Sequence, residues 1–119
     1  MRGFLGRASS TSYVVGSVLG VLHLSISWWV IFGLVRGGAD AQWQLVWFLF
    51  LPFDLPFSLL VFFSGSFVPD WSIASLPYPV SELRGFILPA IIHGLVGPLW
   101  YFLLPVAVSS VRRSRQAHA

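Results

Sequence analysis

The stretch WQLVWFLFLPFDLPFSLLVFF, residues 43–63, decides how this chain folds. It is apolar enough to enter a lipid bilayer, yet Pro52, Asp54 and Pro56 interrupt it in the middle. Because proline has no N–H to donate and clashes with the preceding helical turn, we expect a helix to kink or stop there. The carboxylate of Asp54 is predicted to cap a new half-helix that starts at Leu55.

The composition indicates that most of this chain is surrounded by lipid rather than water. Of 119 residues, 56% are hydrophobic and only 9% are charged, whereas a soluble domain carries about 25% charged residues. The basic residues are all arginine and lie in the termini and loops, which is typical of orientation signals at membrane edges and not of a nucleic-acid-binding surface. The chain has no cysteine, so disulfides and thiolate metal sites are excluded.

Two cleaner apolar runs, residues 13–35 and 86–108, flank the broken stretch, and neither contains a charged residue. Each is about 34 Å long as a helix, enough to cross a hydrocarbon core of ~30 Å. The first run is longer than the apolar part of a signal peptide, so we expect an uncleaved helix there. Pro89, Pro98 and Pro105 predict bends in the last run.

The predicted fold is therefore an all-α integral membrane protein forming one membrane domain, residues 1–119. Its three transmembrane segments are 13–35, 43–63 and 86–108, the middle one broken at Pro52–Pro56. A polar tail (1–12) precedes them, a membrane-surface loop (64–85) joins the last two, and a basic tail (109–119) follows.

Two topologies remain open from the sequence. If all three segments cross, the arginines divide almost evenly between the two sides, and the positive-inside rule barely decides the orientation. If residues 43–63 re-enter and return instead, both termini lie on one side with most of the arginines: Arg2, Arg7, Arg112, Arg113 and Arg115. That side, with the C-terminal tail, would be cytoplasmic. A re-entrant segment must, however, be covered by protein.

Small residues follow one face of each clean run at helical spacing, which predicts close helix packing. The first face includes a GxxxG pair and continues through a histidine and a serine: Gly16, Gly20, His23 and Ser27. The second face carries another histidine among small residues and ends on a tyrosine: Ala90, His93, Gly97 and Tyr101, with Gly94 beside it. Both histidines are thus predicted to face protein rather than lipid.

Helical rise places His23, Asp54 and His93 at a similar depth in the three-pass topology. An ionisable group inside a membrane is a functional-site hypothesis by default. Four interpretations compete: a structural polar network that fixes helix packing, a proton or ion relay, ligation of a haem or chlorophyll by His23 or His93, and a two-histidine, one-carboxylate metal site. No motif spacing supports the metal site.

The expected function is that of a non-enzymatic accessory subunit, which packs within a larger membrane complex or with copies of itself. No GxSxG, HExxH, P-loop or GxGxxG motif points to an enzyme. The phrases LPFDLPFSLL (51–60) and HGLVGPLWYFLLP (93–105) resemble small bacterial membrane proteins. That resemblance implies a location in a bacterial inner membrane. It does not indicate any particular activity.

Overall fold

The computed structural model describes residues 8–37, 45–67, 69–78 and 80–117, and the regular secondary structure in these ranges is helical, joined by turns and loops. Four helices are named here in chain order: α1 (Ser10–Gly37), α2 (Leu45–Phe48), α3 (Ser58–Phe62) and α4 (Leu83–Gln116). A 3-10 helix, Phe63–Ser66, continues α3. Within these ranges the β-type pairing is limited to one isolated bridge between Ser72 and Glu82.

The two long helices, α1 and α4, are long and apolar enough to cross a membrane. At 28 and 34 residues they measure about 42 Å and 51 Å. They run antiparallel, because Gly16 of α1 lies against Phe102 of α4, Gly20 against Pro98, and Ile31 against Gly94. The end of α1 and the start of α4 are therefore at the same end of the pair.

Helix α4 continues through all three of its prolines, where the sequence predicted bends. It contains two π-helical turns, Leu83–Ile87 and Ile92–Val96. Each turn ends shortly before a proline, Pro89 or Pro98. A π-turn shifts the backbone hydrogen-bond register by one residue, so the helix absorbs the missing N–H and the bulk of the proline ring without ending. The second π-turn also contains His93.

Residues 45–67 pass along α4 and return. On the entering arm, Trp47 Nε1 donates a hydrogen bond to the carbonyl of Gly85, near the start of α4 (3.1 Å). At the tip, Tyr101 donates its hydroxyl proton to the carbonyl of Phe53 (2.6 Å), about 24 Å further along α4. The returning arm reaches Gly65, which lines one cavity together with Gly85. These residues form short helices and turns, so they do not form the predicted third membrane-length helix.

The tip of this segment is built from turns that contain both prolines. The N–H of Asp54 donates to the carbonyl of Phe50 (2.9 Å), and the N–H of Ser58 donates to the carbonyl of Asp54 (3.1 Å). Pro52 and Pro56 have no N–H to satisfy, and the Leu55–Pro56 peptide is cis. The prediction that Asp54 caps a half-helix starting at Leu55 is wrong, because α3 begins at Ser58 and no side chain caps it.

The main apolar cluster joins the end of α1, the entering arm and the start of α4. Its buried members are Ile31, Trp47, Phe50 and Phe86, and Ala90 packs against it. The described part of the 64–85 loop lies outside this cluster and carries exposed aromatic side chains, Phe67, Trp71 and Tyr78. An ion pair between Arg84 and Asp70 (3.3 Å) ties the loop to the first turn of α4.

Candidate functional site

Three elements meet at the carboxylate of Asp54, which is fully buried at the tip of the 45–67 segment. Nδ1 of His93, from the second π-turn of α4, forms a hydrogen bond with Oδ2 of Asp54. Nε2 of His23, from α1, lies 3.0 Å from Oδ1. The structure thus brings together the three titratable side chains that the sequence placed at one depth. We call His23, Asp54 and His93 the polar centre.

The two histidines are not equivalent partners of Asp54. His93 is 1% exposed, and its Nδ1 forms a hydrogen bond with the carboxylate of Asp54. His23 is at ion-pair distance, but its ring is turned so that neither Nε2 nor Oδ1 has a well-aligned hydrogen-bond partner among the described residues. A buried carboxylate is tolerated only where such partners replace water. His93 is therefore the stronger anchor and His23 the looser one.

Aromatic rings enclose the polar centre on both sides. Trp47 stacks on His93, with ring centroids 5.6 Å apart and planes 16° from parallel. Tyr101 stacks on His23 at 4.8 Å and 26°. Phe50 contacts both imidazoles, at 5.8 Å and 5.1 Å. No sequence pattern pointed to Trp47 or Phe50 as part of the centre, although both precede Asp54 by a few residues.

Because Gly97 has no side chain, there is room beside it for the polar centre. A Cβ at this position would lie 2.8 Å from both Oδ1 of Asp54 and Nε2 of His23. Ordinary carbon contacts are longer than this, so even alanine would push the carboxylate or the imidazole aside. Gly97 thus serves the site and not simply helix packing.

The other predicted packing residues lie where α1 meets α4. A Cβ on Gly16 would collide with the carbonyl of Phe102, and one on Gly20 would lie 3.0 Å from the carbonyl of Pro98. A Cβ on Gly94 would lie 3.0 Å from the side chain of Ile31. Ser27 is buried as well, and its hydroxyl has no hydrogen-bond partner among the described residues. The small-residue faces are therefore used between the two helices of one chain.

A cavity of about 490 Å³ adjoins the polar centre on the side of His93. It lies between the two arms of the 45–67 segment and the first turns of α4. Its apolar and aromatic lining comes from Trp47, Phe48, Leu51, Val61, Phe62, Gly65, Gly85 and Pro89. Its polar lining comes from Ser58, Ser64, Asp70, Glu82, Arg84 and His93.

The geometry does not assemble a metal site from these side chains. In the described part of the chain, no three His, Asp or Glu side chains are grouped so that they could hold a metal ion. His23 and His93 instead approach different oxygens of the same carboxylate. What the arrangement can do is hold Asp54 between two imidazoles, and present one of those imidazoles to a cavity.

Comparisons with known proteins add no relative: no family model matches this sequence, and neither the curated proteins nor the solved structures contain a match.

Proposed function

We propose that this chain is a small, non-enzymatic integral membrane protein that serves as an accessory subunit. In this proposal α1 and α4 cross the bilayer, and residues 45–67 re-enter it from one side. The polar centre holds that re-entrant segment against the two helices. The observation that carries the proposal is the complete burial of Asp54 between histidines from both long helices.

The outer surface of α1 supports a membrane location. Only Gly16, Gly20, Ser27 and Ile31 are buried in this 28-residue helix. Its other faces expose large apolar side chains, among them Trp29, which is 77% exposed. Soluble monomers rarely expose an apolar surface of this extent. Lipid contact would remove that surface from water.

The antiparallel arrangement of α1 and α4 supports a two-pass topology. Ser10 and Gln116 lie at one end of the helix pair, while both ends of the 45–67 segment lie at the other. Arg112, Arg113 and Arg115 lie in the last turns of α4, at the same end of the helix pair as Ser10. By the positive-inside rule that side is cytoplasmic.

Single-cysteine labelling tests this topology, since the natural sequence contains no cysteine. Gly37→Cys and Ser75→Cys should both react with an impermeant maleimide from the same side of the membrane, and Gln116→Cys from the opposite side. A three-pass protein would instead place the thiols of the first two variants on opposite sides. That labelling pattern would refute the re-entrant arrangement.

The tip of the re-entrant segment supports assembly with a neighbouring protein. Non-helical backbone at membrane depth has to be covered by protein. Helices α1 and α4 cover one side of the tip, but Leu49, Phe53 and Leu55 on the other side are 68%, 64% and 46% exposed. A second copy of the chain, or another membrane subunit, would cover this side. Gly16, Gly20 and Gly94 already pack between α1 and α4 within one chain, so the exposed side of the tip is the surface that we propose for assembly.

Photo-crosslinking in native membranes tests the assembly role. Replacing Phe53 by p-benzoylphenylalanine should give protein adducts, because its ring would face a partner. The matched control is the same replacement at Phe32, which is 53% exposed on α1 and should give lipid adducts only. If both positions yield lipid adducts alone, the accessory-subunit proposal is wrong. The mass of a protein adduct distinguishes a second copy from a different subunit.

The order of the three side chains in the polar centre raises a proton relay as a second candidate function. His93, Asp54 and His23 form an ordered row that begins at the cavity and ends beside Tyr101. Such a row is the arrangement that proton transfer needs. The misaligned contact between His23 and Asp54 interrupts it, however. This geometry favours the structural role over the relay.

A haem or chlorophyll held by both histidines together gains no support from their geometry. His23 and His93 both face the carboxylate of Asp54 instead of a shared open space. Tyr101 and Trp47 cover one face of each ring. A visible absorption spectrum of the natively purified protein tests the hypothesis directly, because a bound tetrapyrrole gives a Soret or Qy band.

A further inference from the structure

We propose that the cavity beside His93 binds a lipid-soluble phenol or hydroquinone, whose hydroxyl group donates a hydrogen bond to Nε2 of His93. The cavity volume, about 490 Å³, is in the range of small-molecule sites. No step of the accessory-subunit role requires such a cavity. The ligand class follows from the chemistry of the lining, taken group by group.

His93 sets the polarity that a ligand must have. Its Nδ1 forms a hydrogen bond with the carboxylate of Asp54, and an ionised carboxylate only accepts hydrogen bonds. In a neutral imidazole the proton is then on Nδ1, and Nε2 is an acceptor. No described residue forms a hydrogen bond with Nε2, although the ring is almost fully buried. A ligand in the cavity should therefore bind most tightly if it donates a hydrogen bond to Nε2.

The two serines of the lining lead to the same requirement. Ser58 donates its hydroxyl proton to the carbonyl of Leu51 (2.8 Å), and Ser64 donates to the carbonyl of Val61 (2.7 Å). Each hydroxyl has thereby used its single proton, and only oxygen lone pairs remain. The inner polar atoms of the cavity are thus acceptors, which favours a ligand with a hydroxyl group over a pure acceptor such as an ether or a quinone carbonyl.

The walls and the rim narrow the class further. Trp47, Phe48 and Phe62 present aromatic surface, with Phe48 and Phe62 edge to face at 6.3 Å. A flat ring packs well on such walls. The rim carries two negative charges, the carboxylates of Asp70 and Glu82, and one positive charge, that of Arg84. Arg84 forms an ion pair with Asp70. An anionic ligand such as a fatty acid would meet net negative charge, whereas a neutral phenol would not.

A matched pair of probes tests the hydrogen bond. 4-Hexylphenol can donate, whereas 4-hexylanisole has nearly the same shape but cannot. Each is titrated into the full chain in lipid nanodiscs, and binding is followed by 15N NMR of the histidine side chains. We expect a saturable shift of the His93 Nε2 resonance with the phenol, and at least about tenfold weaker binding of the anisole because a buried acceptor stays unsatisfied. Equal affinities, or no saturable shift, would overturn the proposal.

A matched pair of glycine variants locates the binding. Gly65 lines the cavity, and a Cβ there would meet no atom within 4 Å. Gly65→Leu should therefore fill the cavity without touching the polar centre, and lower the affinity for 4-hexylphenol at least about tenfold. Gly33 on α1 is equally open and lies away from the cavity. Gly33→Leu should bind as the natural chain does, and unchanged binding by Gly65→Leu would show that the phenol binds elsewhere.

Discussion

Replacing Gly97 by alanine should destabilise the protein, although the same change usually stabilises a helix. Alanine is favoured over glycine in a helix interior by about 0.5–1 kcal/mol. At Gly97, however, the new Cβ would lie 2.8 Å from both Oδ1 of Asp54 and Nε2 of His23, and 3.0 Å from Oδ2. Ordinary contacts begin near 3.4 Å, so these groups must each move by several tenths of an ångström.

The size of the effect follows from what that movement breaks. Asp54 cannot retreat freely, because His93 holds its other oxygen. Overpacking a tight interior costs about 1–3 kcal/mol, and a hydrogen bond to a charged group is worth about 1.5–3 kcal/mol. After subtracting the gain in helix propensity, we expect Gly97→Ala to lower the free energy of unfolding by about 1.5–5.5 kcal/mol.

The measurement is reversible unfolding in mixed micelles, titrated with SDS and followed by tryptophan fluorescence. Gly33→Ala is the matched control, because a Cβ there meets no atom within 4 Å and the residue lies in a membrane-length helix. That control should be neutral or up to about 1 kcal/mol more stable than the natural chain. If Gly97→Ala is as stable as Gly33→Ala, the carboxylate does not occupy the position against Gly97, and the polar centre is refuted.

Three further substitutions probe the same packing with the same assay. Asp54→Leu should lower the free energy of unfolding by about 1–3 kcal/mol for each imidazole left without a partner. The control Asp70→Leu, at an exposed ion pair, should change it by about 0.5 kcal/mol or less. Equal effects of the two substitutions would show that Asp54 is not part of the polar centre. Tyr101→Phe should cost about 0.5–1.5 kcal/mol because it deletes the hydrogen bond to the carbonyl of Phe53, and an unchanged midpoint would argue against that contact. Gly16→Ala should cost about 1–3 kcal/mol, since its Cβ meets a backbone carbonyl of α4; a stable variant would show that the helices do not pack there.

Local rules were sufficient for the two long helices. Charge-free runs of membrane length predicted α1 and α4, and the structure lengthens both at their ends. The periodic spacing of small residues also identified the faces that meet, because helical geometry fixes which side chains share a face. Local rules did not predict the two π-helical turns of α4, since a π-turn is a response of the whole helix and leaves no distinct residue pattern.

The broken stretch shows where local rules end. Pro52 and Pro56 predicted that the helix is interrupted between them. In the structure α2 ends at Phe48 and α3 begins only at Ser58. Whether the chain then crosses or returns depends on contacts with distant residues, such as Trp47 with Gly85 and Tyr101 with Phe53. The prediction that Asp54 caps a helix failed for the same reason, because local sequence offers the carboxylate only nearby backbone N–H groups as partners.

The sequence by itself determined the helical class and the two long apolar helices, since hydropathy and helical period act over short distances along the chain. Only the tertiary structure decided that Asp54 lies between His23 and His93, that Gly97 makes room for it, and that His93 borders a cavity. Those relations join residues dozens of positions apart. They depend on how three elements pack, and packing is set by the fit of all their surfaces at once.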